Sequence, residues 1–148
     1  MGVKKTVSKL KKELDKWFSL YIRLKYSDDN GMVICFTSGR KYHYKNIHAG
    51  HFISRRHLAT RWLEQNVMPQ SAADNLFGQG EQYQFALNLD REYGVGTAKE
   101  LQLKARQPFK MMRIDYVDKI SYYKELVNKI KKEKNCLLYT SDAADECD

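Results

Sequence analysis

The residues of this chain whose types and spacing could do chemistry are His48-Ala49-Gly50-His51, then Asn66, then Asn75. An imidazole can take a proton from water near neutral pH. A carboxamide oxygen suits a hard divalent cation, and an imidazole nitrogen can join it. A base, one such cation and a short hairpin–helix scaffold are enough to hydrolyse a phosphodiester. Each position also has an ordinary explanation. His51 and His48 could be partly buried, hydrogen-bonded structural residues, Asn66 a turn former and Asn75 a helix cap.

The elements that must position these residues are legible in outline. Val7, Leu10, Leu14, Trp17, Phe18, Tyr21 and Ile22 recur at three- and four-residue steps and predict an amphipathic helix over 7–25, lysine-rich on its other face. The turn residues Ser27-Asp28-Asp29-Asn30-Gly31 end it. Met32–Phe36 is a short β-prone run, Ser38-Gly39-Arg40-Lys41 a turn, and Tyr42-His43-Tyr44 a return strand. Ile47–Ile53 predicts an extended piece carrying His48 and His51, and Pro69 a break. A helix is expected from about Asp74 to Tyr93 with Leu76, Phe77, Tyr83, Phe85, Ala86 and Leu89 as its apolar positions, although Gly78 and Gly80 could delay its start to Gln79. Gly94 is a stop. Thr97 and Glu100 form a capping-box pattern for a short helix reaching about Gln107. A last helix over 114–134 sets Ile114, Val117, Ile120, Tyr123, Leu126, Val127 and Ile130 on one face.

Composition narrows the partner. The chain has 26 Lys+Arg against 18 Asp+Glu, a net charge of +8. Cys136–Glu146 resembles the translation of a sequencing adapter, so residues 136–148 are set aside as non-native and the natural chain is expected to continue past Asn135; an ordinary acidic tail is the alternative. Residues 1–135 keep all 26 basic and 14 of the 18 acidic residues, a net charge of +12. That bias points to a polyanion, and to nucleic acid before a membrane surface. No apolar run reaches the roughly 18 residues of a spanning helix, and no signal peptide is evident. Cys35 is the lone cysteine of residues 1–135, which fits a reducing compartment. His43 and His57 are expected at the surface. The aromatic residues are expected in the core, and the basic run Lys129–Lys134 either solvated or against a DNA backbone.

The order and spacing of His51, Asn66 and Asn75 resemble the HNH nuclease motif. Phe18–Leu24, Ala49-Gly50-His51-Phe52-Ile53-Ser54-Arg55, Arg61–Val67 and Glu92-Tyr93-Gly94 together resemble the NinG (Rap) recombination proteins of lambdoid phages, over roughly residues 14–106. The resemblance implies an α+β fold with an HNH/ββα-metal (treble-clef-like) core at about 32–94. An N-terminal helix and C-terminal helices flank it in a single domain over 1–135. It implies a structure-specific endonuclease acting on branched recombination intermediates such as Holliday junctions. The carry-over makes His51 the general base and Asn66 the residue that tethers the loop and orients it. Asn75 becomes a metal ligand, and His48 either a second ligand or a structural residue. Arg55, Arg56 and Arg61, with Lys41, would contact DNA phosphates. The metal expected is Mg²⁺ or Mn²⁺.

The chain departs from the family pattern at the brace. Where the pattern has two Cys-x-x-Cys pairs, this sequence has Cys35, Ser38, Ser71 and Asp74. Serine is rarely a zinc ligand, so no structural zinc is expected, and packing, hydrogen bonds among Ser38, Ser71 and Asp74, or both are expected to hold the knuckle. The partners expected are DNA, branched or duplex, and a second copy of the chain, without a membrane, in the cytoplasm of a bacterial host. Two other readings use the same residues. One is a DNA-binding accessory that has lost cleavage with its zinc; the other is a helical interaction protein with incidental histidines.

Overall fold

The computed structural model describes residues 4–138, with side chains to residue 134. Side chains of the adapter-like stretch 136–148 therefore lie outside the described residues. The fold is α+β, with helices and two small antiparallel sheets. It divides into two compact units, Met1–Tyr21 with Met111–Asp148, and Ile22–Lys110.

In the first unit, helix α1 (Val7–Lys25, shared with the second unit) has the span its periodicity predicts. It buries Leu10, Leu14, Phe18 and Tyr21. The ring of Phe18 meets Tyr123 edge-to-face at 4.9 Å between centroids. Tyr123 belongs to the C-terminal helix Arg113–Leu138, labelled α5 below. Periodicity gives Ile114 and Val117 to the buried face of that helix, but they are 60% and 45% exposed, and Tyr116 is buried instead. Positions 116, 120, 123 and 127 keep the same helical step on a neighbouring stripe, and the larger ring fills the core.

The second unit carries the predicted site. β1 (Met32–Ile34) pairs with β2 (Lys41–His43), and residues 35–40 form a tight knuckle between them. β3 (His48–His51) pairs antiparallel with β4 (Val67–Gln70), His48 opposite Gln70 and His51 opposite Val67. The fifteen-residue connection contains the short α2 (Leu58–Arg61) and a 3₁₀ turn, Glu64–Asn66. Pro69 does not break the chain here. It sits inside β4, and its carbonyl accepts from the Phe36 amide at 2.8 Å, tying the knuckle to the strand. A strand with one ladder partner tolerates the donor that proline lacks.

The helix expected from Asp74 to Tyr93 is two pieces. A π-helical turn covers Ala73–Phe77, and α3 runs Gln82–Tyr93. Between them Gln79, Gly80 and Glu81 all have positive φ, at 54°, 80° and 46°, which no right-handed helix can contain. Phe85 and Leu89 are buried as expected, whereas Leu76, Phe77 and Tyr83 are 60%, 86% and 78% exposed. The left-handed turn resets the phase, so apolar positions on its two sides no longer share a face. α4 (Thr97–Ala105) follows. Thr97 does not cap it by its own hydroxyl, which donates to the Gly94 carbonyl at 2.7 Å. The cap comes from α3, where Asp90 Oδ1 accepts from the Ala98 amide at 2.9 Å. Phe52, Met68, Phe85, Leu89, Ala98 and Leu101 form the main core beneath β3 and β4. A smaller cluster of Val33, Cys35 and Ile47 lies under the knuckle.

Candidate functional site

The loop between β3 and β4 is stapled from inside. Asn66 is fully buried. Its Oδ1 accepts from the Ile53 amide at 2.7 Å, and its Nδ2 donates to the Ile53 and Thr60 carbonyls at 3.1 and 3.0 Å. One side chain thus closes both ends of the segment that carries Arg55, Arg56 and Arg61. These bonds make Asn66 a loop tether.

His51 ends β3 at the mouth of that loop. Its Nε2 lies 2.9 Å from the Arg61 carbonyl. A carbonyl only accepts, so Nε2 carries the proton and Nδ1 holds the basic lone pair. Arg55 and Arg56 are exposed, and Arg61 is half-buried, with Nη1 3.4 Å from the Arg55 carbonyl. The three arginines and His51 therefore share one tethered loop. Lys41 lies elsewhere, on β2. It lines a cavity of about 510 Å³ whose wall also contains Asp28 and Glu92, acidic company for a phosphate contact.

The second pairing joins residues far apart in sequence. Asn75, on the π turn, places its Nδ2 3.1 Å from His48 Nδ1. Asn75 is thus on a tight turn rather than at the head of the long helix, because the left-handed residues end that turn at Phe77. Alternation along β3 puts His48 and Gly50 on one face and Ala49 and His51 on the other.

Two polar side chains at the site are not singled out by sequence reasoning. Gln70, opposite His48, is fully buried. Its Nε2 donates to the Gly80 carbonyl at 2.7 Å and to Thr37 Oγ1 at 3.1 Å. Its Oε1 is the buried side-chain oxygen without a partner among the described residues. The period-two register with His48 is the signal that could have found it. Thr37 is the other. It sits inside the knuckle, between Cys35 and Ser38, where polar residues read as turn formers.

Three of the brace positions, Cys35, Ser71 and Asp74, converge, and Thr37 joins them. Thr37 Oγ1 donates to Asp74 Oδ2 at 2.6 Å, and Cys35 Sγ lies 3.8 Å from the same oxygen. The Ser71 amide donates to Cys35 Sγ at 3.2 Å, and the Asp74 amide to Ser71 Oγ at 3.2 Å. Ser38 does not join Ser71 and Asp74 as expected. Its Oγ accepts from the Arg40 amide at 3.3 Å, and its own interaction is with Cys35. Burial pushes the Cys35 thiol up, but hydrogen bonds from Ser38, the Ser71 amide and Thr37 outweigh it and hold the thiol below its ordinary value.

The donors present suit a hard or borderline cation better than zinc. Among the described residues no three His, Cys, Asp or Glu side chains cluster as a metal-binding group. Asn75 meets His48, and Gln70 lies opposite His48 in the strand register, so imidazole and carboxamide donors of the kinds that could take Mg²⁺ or Mn²⁺ come from these three residues. Among the described residues no helix is long and apolar enough to cross a membrane.

No curated protein and no solved structure matches the chain. The family model described as Bacteriophage Lambda NinG protein matches residues 2–133, and the chain belongs to the NinG family.

Proposed function

We propose that this protein is a metal-dependent DNA endonuclease of phage recombination. In this reading it cuts branched DNA such as Holliday junctions in the cytoplasm of the host. The observation that carries the reading is the meeting of His48 and Asn75, 27 residues apart in sequence, at 3.1 Å beside the strand that holds His51. His51 Nδ1 takes the proton of the attacking water, and the Arg61 carbonyl keeps its ring oriented. Arg55 and Arg56 hold the phosphates on either side of the cut. His48 and Asn75 would hold Mg²⁺ or Mn²⁺, which when bound supplies positive charge to the phosphoryl and leaving oxygens. Among the described residues β3 has a single ladder partner, β4. Junction resolution needs two incisions, which favours a two-fold pair of chains.

A second reading, DNA binding without cleavage, is favoured by the opposite-face placement of His48 and His51 on β3. One experiment separates the two. The full chain is incubated with labelled four-way junction and matched duplex, with Mg²⁺, Mn²⁺ or chelator, beside His51→Ala. Metal-dependent cutting that His51→Ala abolishes supports the nuclease. Salt-sensitive binding with no cutting under any metal supports the accessory reading.

A further inference from the structure

The unpaired oxygen of Gln70 has a fixed direction. Glutamine amides can be turned over, but here the orientation is set by chemistry. The Gly80 carbonyl, 2.7 Å from Nε2, can only accept, so exchanging the amide atoms would set oxygen against oxygen. Thr37 Oγ1 holds the same nitrogen at 3.1 Å. Oε1 is therefore aimed away from both, fully buried and without a donor. A buried amide oxygen left in that state is unfavourable, so the site calls for a donor or a positive charge.

The surroundings indicate which. Gln70 is directly opposite His48 in the β3–β4 register, so the two side chains rise from the same face. Cross-strand Cβ atoms at such positions are about 5 Å apart, within the span of two ligands on one cation. His48 in turn touches Asn75. Gly50, the next residue on that face, is buried and leaves open the space that Gln70 enters. A Cβ built there would lie 2.8 Å from Gln70 Cβ and 3.1 Å from Cδ, and would run into Oε1 itself.

We infer that Gln70 Oε1 is a third ligand of the divalent cation, joining His48 and Asn75, and that Gly50 is glycine to admit it. The inference rests on the proposed metal site. It adds a neutral oxygen donor to a set short of carboxylates, which suits Mg²⁺ or Mn²⁺. The clamp on Gly80 and Thr37 pre-organises that oxygen, since Nε2 is already held by the protein.

The test is metal binding by the full chain, without any cleavage readout. Free Mn²⁺ is followed by its electron paramagnetic resonance signal for the unmodified chain, His48→Ala, Gln70→Met and Gly50→Ala, with circular dichroism to confirm folding. The expected result is one Mn²⁺ bound by the unmodified chain. His48→Ala should lose it, and Gln70→Met and Gly50→Ala should each weaken it about tenfold. A second measurement needs no variant. On titrating Mg²⁺, the Gln70 side-chain carbonyl carbon and the His48 ring should both shift in the NMR spectrum. A His48 shift with an unmoved Gln70, or a folded Gln70→Met that binds Mn²⁺ as tightly as the unmodified chain, overturns this inference and leaves the metal site standing. Failure of the unmodified chain to bind either cation overturns both.

Discussion

The imidazole of His51 is hydrogen-bonded through Nε2 to the backbone carbonyl of Arg61 at 2.9 Å. Because the partner is a carbonyl, the ring is locked in one tautomer. Replacing His51 with alanine should lower metal-dependent cleavage by about 10²- to 10⁴-fold, the usual contribution of a positioned base. His51→Gln, which can still donate to the carbonyl but is a poor base, should retain the fold and fail to restore cutting. Single-turnover cleavage of a labelled junction checks both. Rates within a few-fold of the unmodified chain would remove His51 from the chemistry.

Asn66 should be among the most sensitive positions for stability. It is fully buried and serves three backbone groups at 2.7, 3.1 and 3.0 Å. Asn66→Ala strands one amide and two carbonyls and should cost about 2–5 kcal/mol. Asn66→Asp keeps the acceptor but sets a carboxylate against two carbonyls, so it should do no better. Urea denaturation followed by tryptophan fluorescence reads the difference.

The knuckle should depend on Asp74 rather than on a bound ion. Asp74→Ala removes the acceptor of the 2.6 Å bond from Thr37 and the neighbour of the Cys35 sulfur. A loss of about 1–3 kcal/mol is expected, and Thr37→Val should reproduce part of it. A strong chelator should leave the melting temperature of the unmodified chain unchanged. A chelator-induced fall of several degrees would show that an ion closes the knuckle after all.

Tyr93 sets an alkaline limit. Burial, then the 3.3 Å contact of its hydroxyl with that of Tyr26, raise its pKa well above the ordinary 10.0. The neutral phenol is the form favoured by the folded state. Its contribution is therefore complete below pH 10 and is lost as the pH climbs through the folded-state value. The melting temperature of the unmodified chain should drop more steeply above pH 10 than that of Tyr93→Phe, which has no proton to lose. Parallel slopes would show that Tyr93 is not the responsible group.

What the sequence shows about this molecule follows the range of each signal. α1 is legible to the residue because its apolar positions repeat over five turns. The β1–β2 hairpin is legible because turn residues bracket β-prone runs, whereas β4 is not, since Pro69 reads as a break. The tether role of Asn66 is what the family resemblance implies, and its bonds to the Ile53 and Thr60 backbone are long-range contacts that no window of sequence contains. The break between the π turn and α3 is only hinted at by Gly78 and Gly80. The residues that make it, Gln79 and Glu81, carry no local mark of a left-handed backbone. Asp90 capping α4 and Tyr116 filling the core are tertiary choices that no window of sequence contains. Gln70 and Thr37 escaped for the same reason. Each matters through one long-range contact, not through its neighbours in the chain.

The knuckle also bears on how the second unit comes to be folded. A knuckle closed by thiolates on zinc waits for an ion, so its folding depends on how much free metal the cell contains. Here Thr37, Ser71 and Asp74 bring their own donors and acceptors, and closure through these bonds alone would be unimolecular. Synthesis in a host whose zinc is sequestered would leave this unit as able to fold as synthesis in a zinc-replete one.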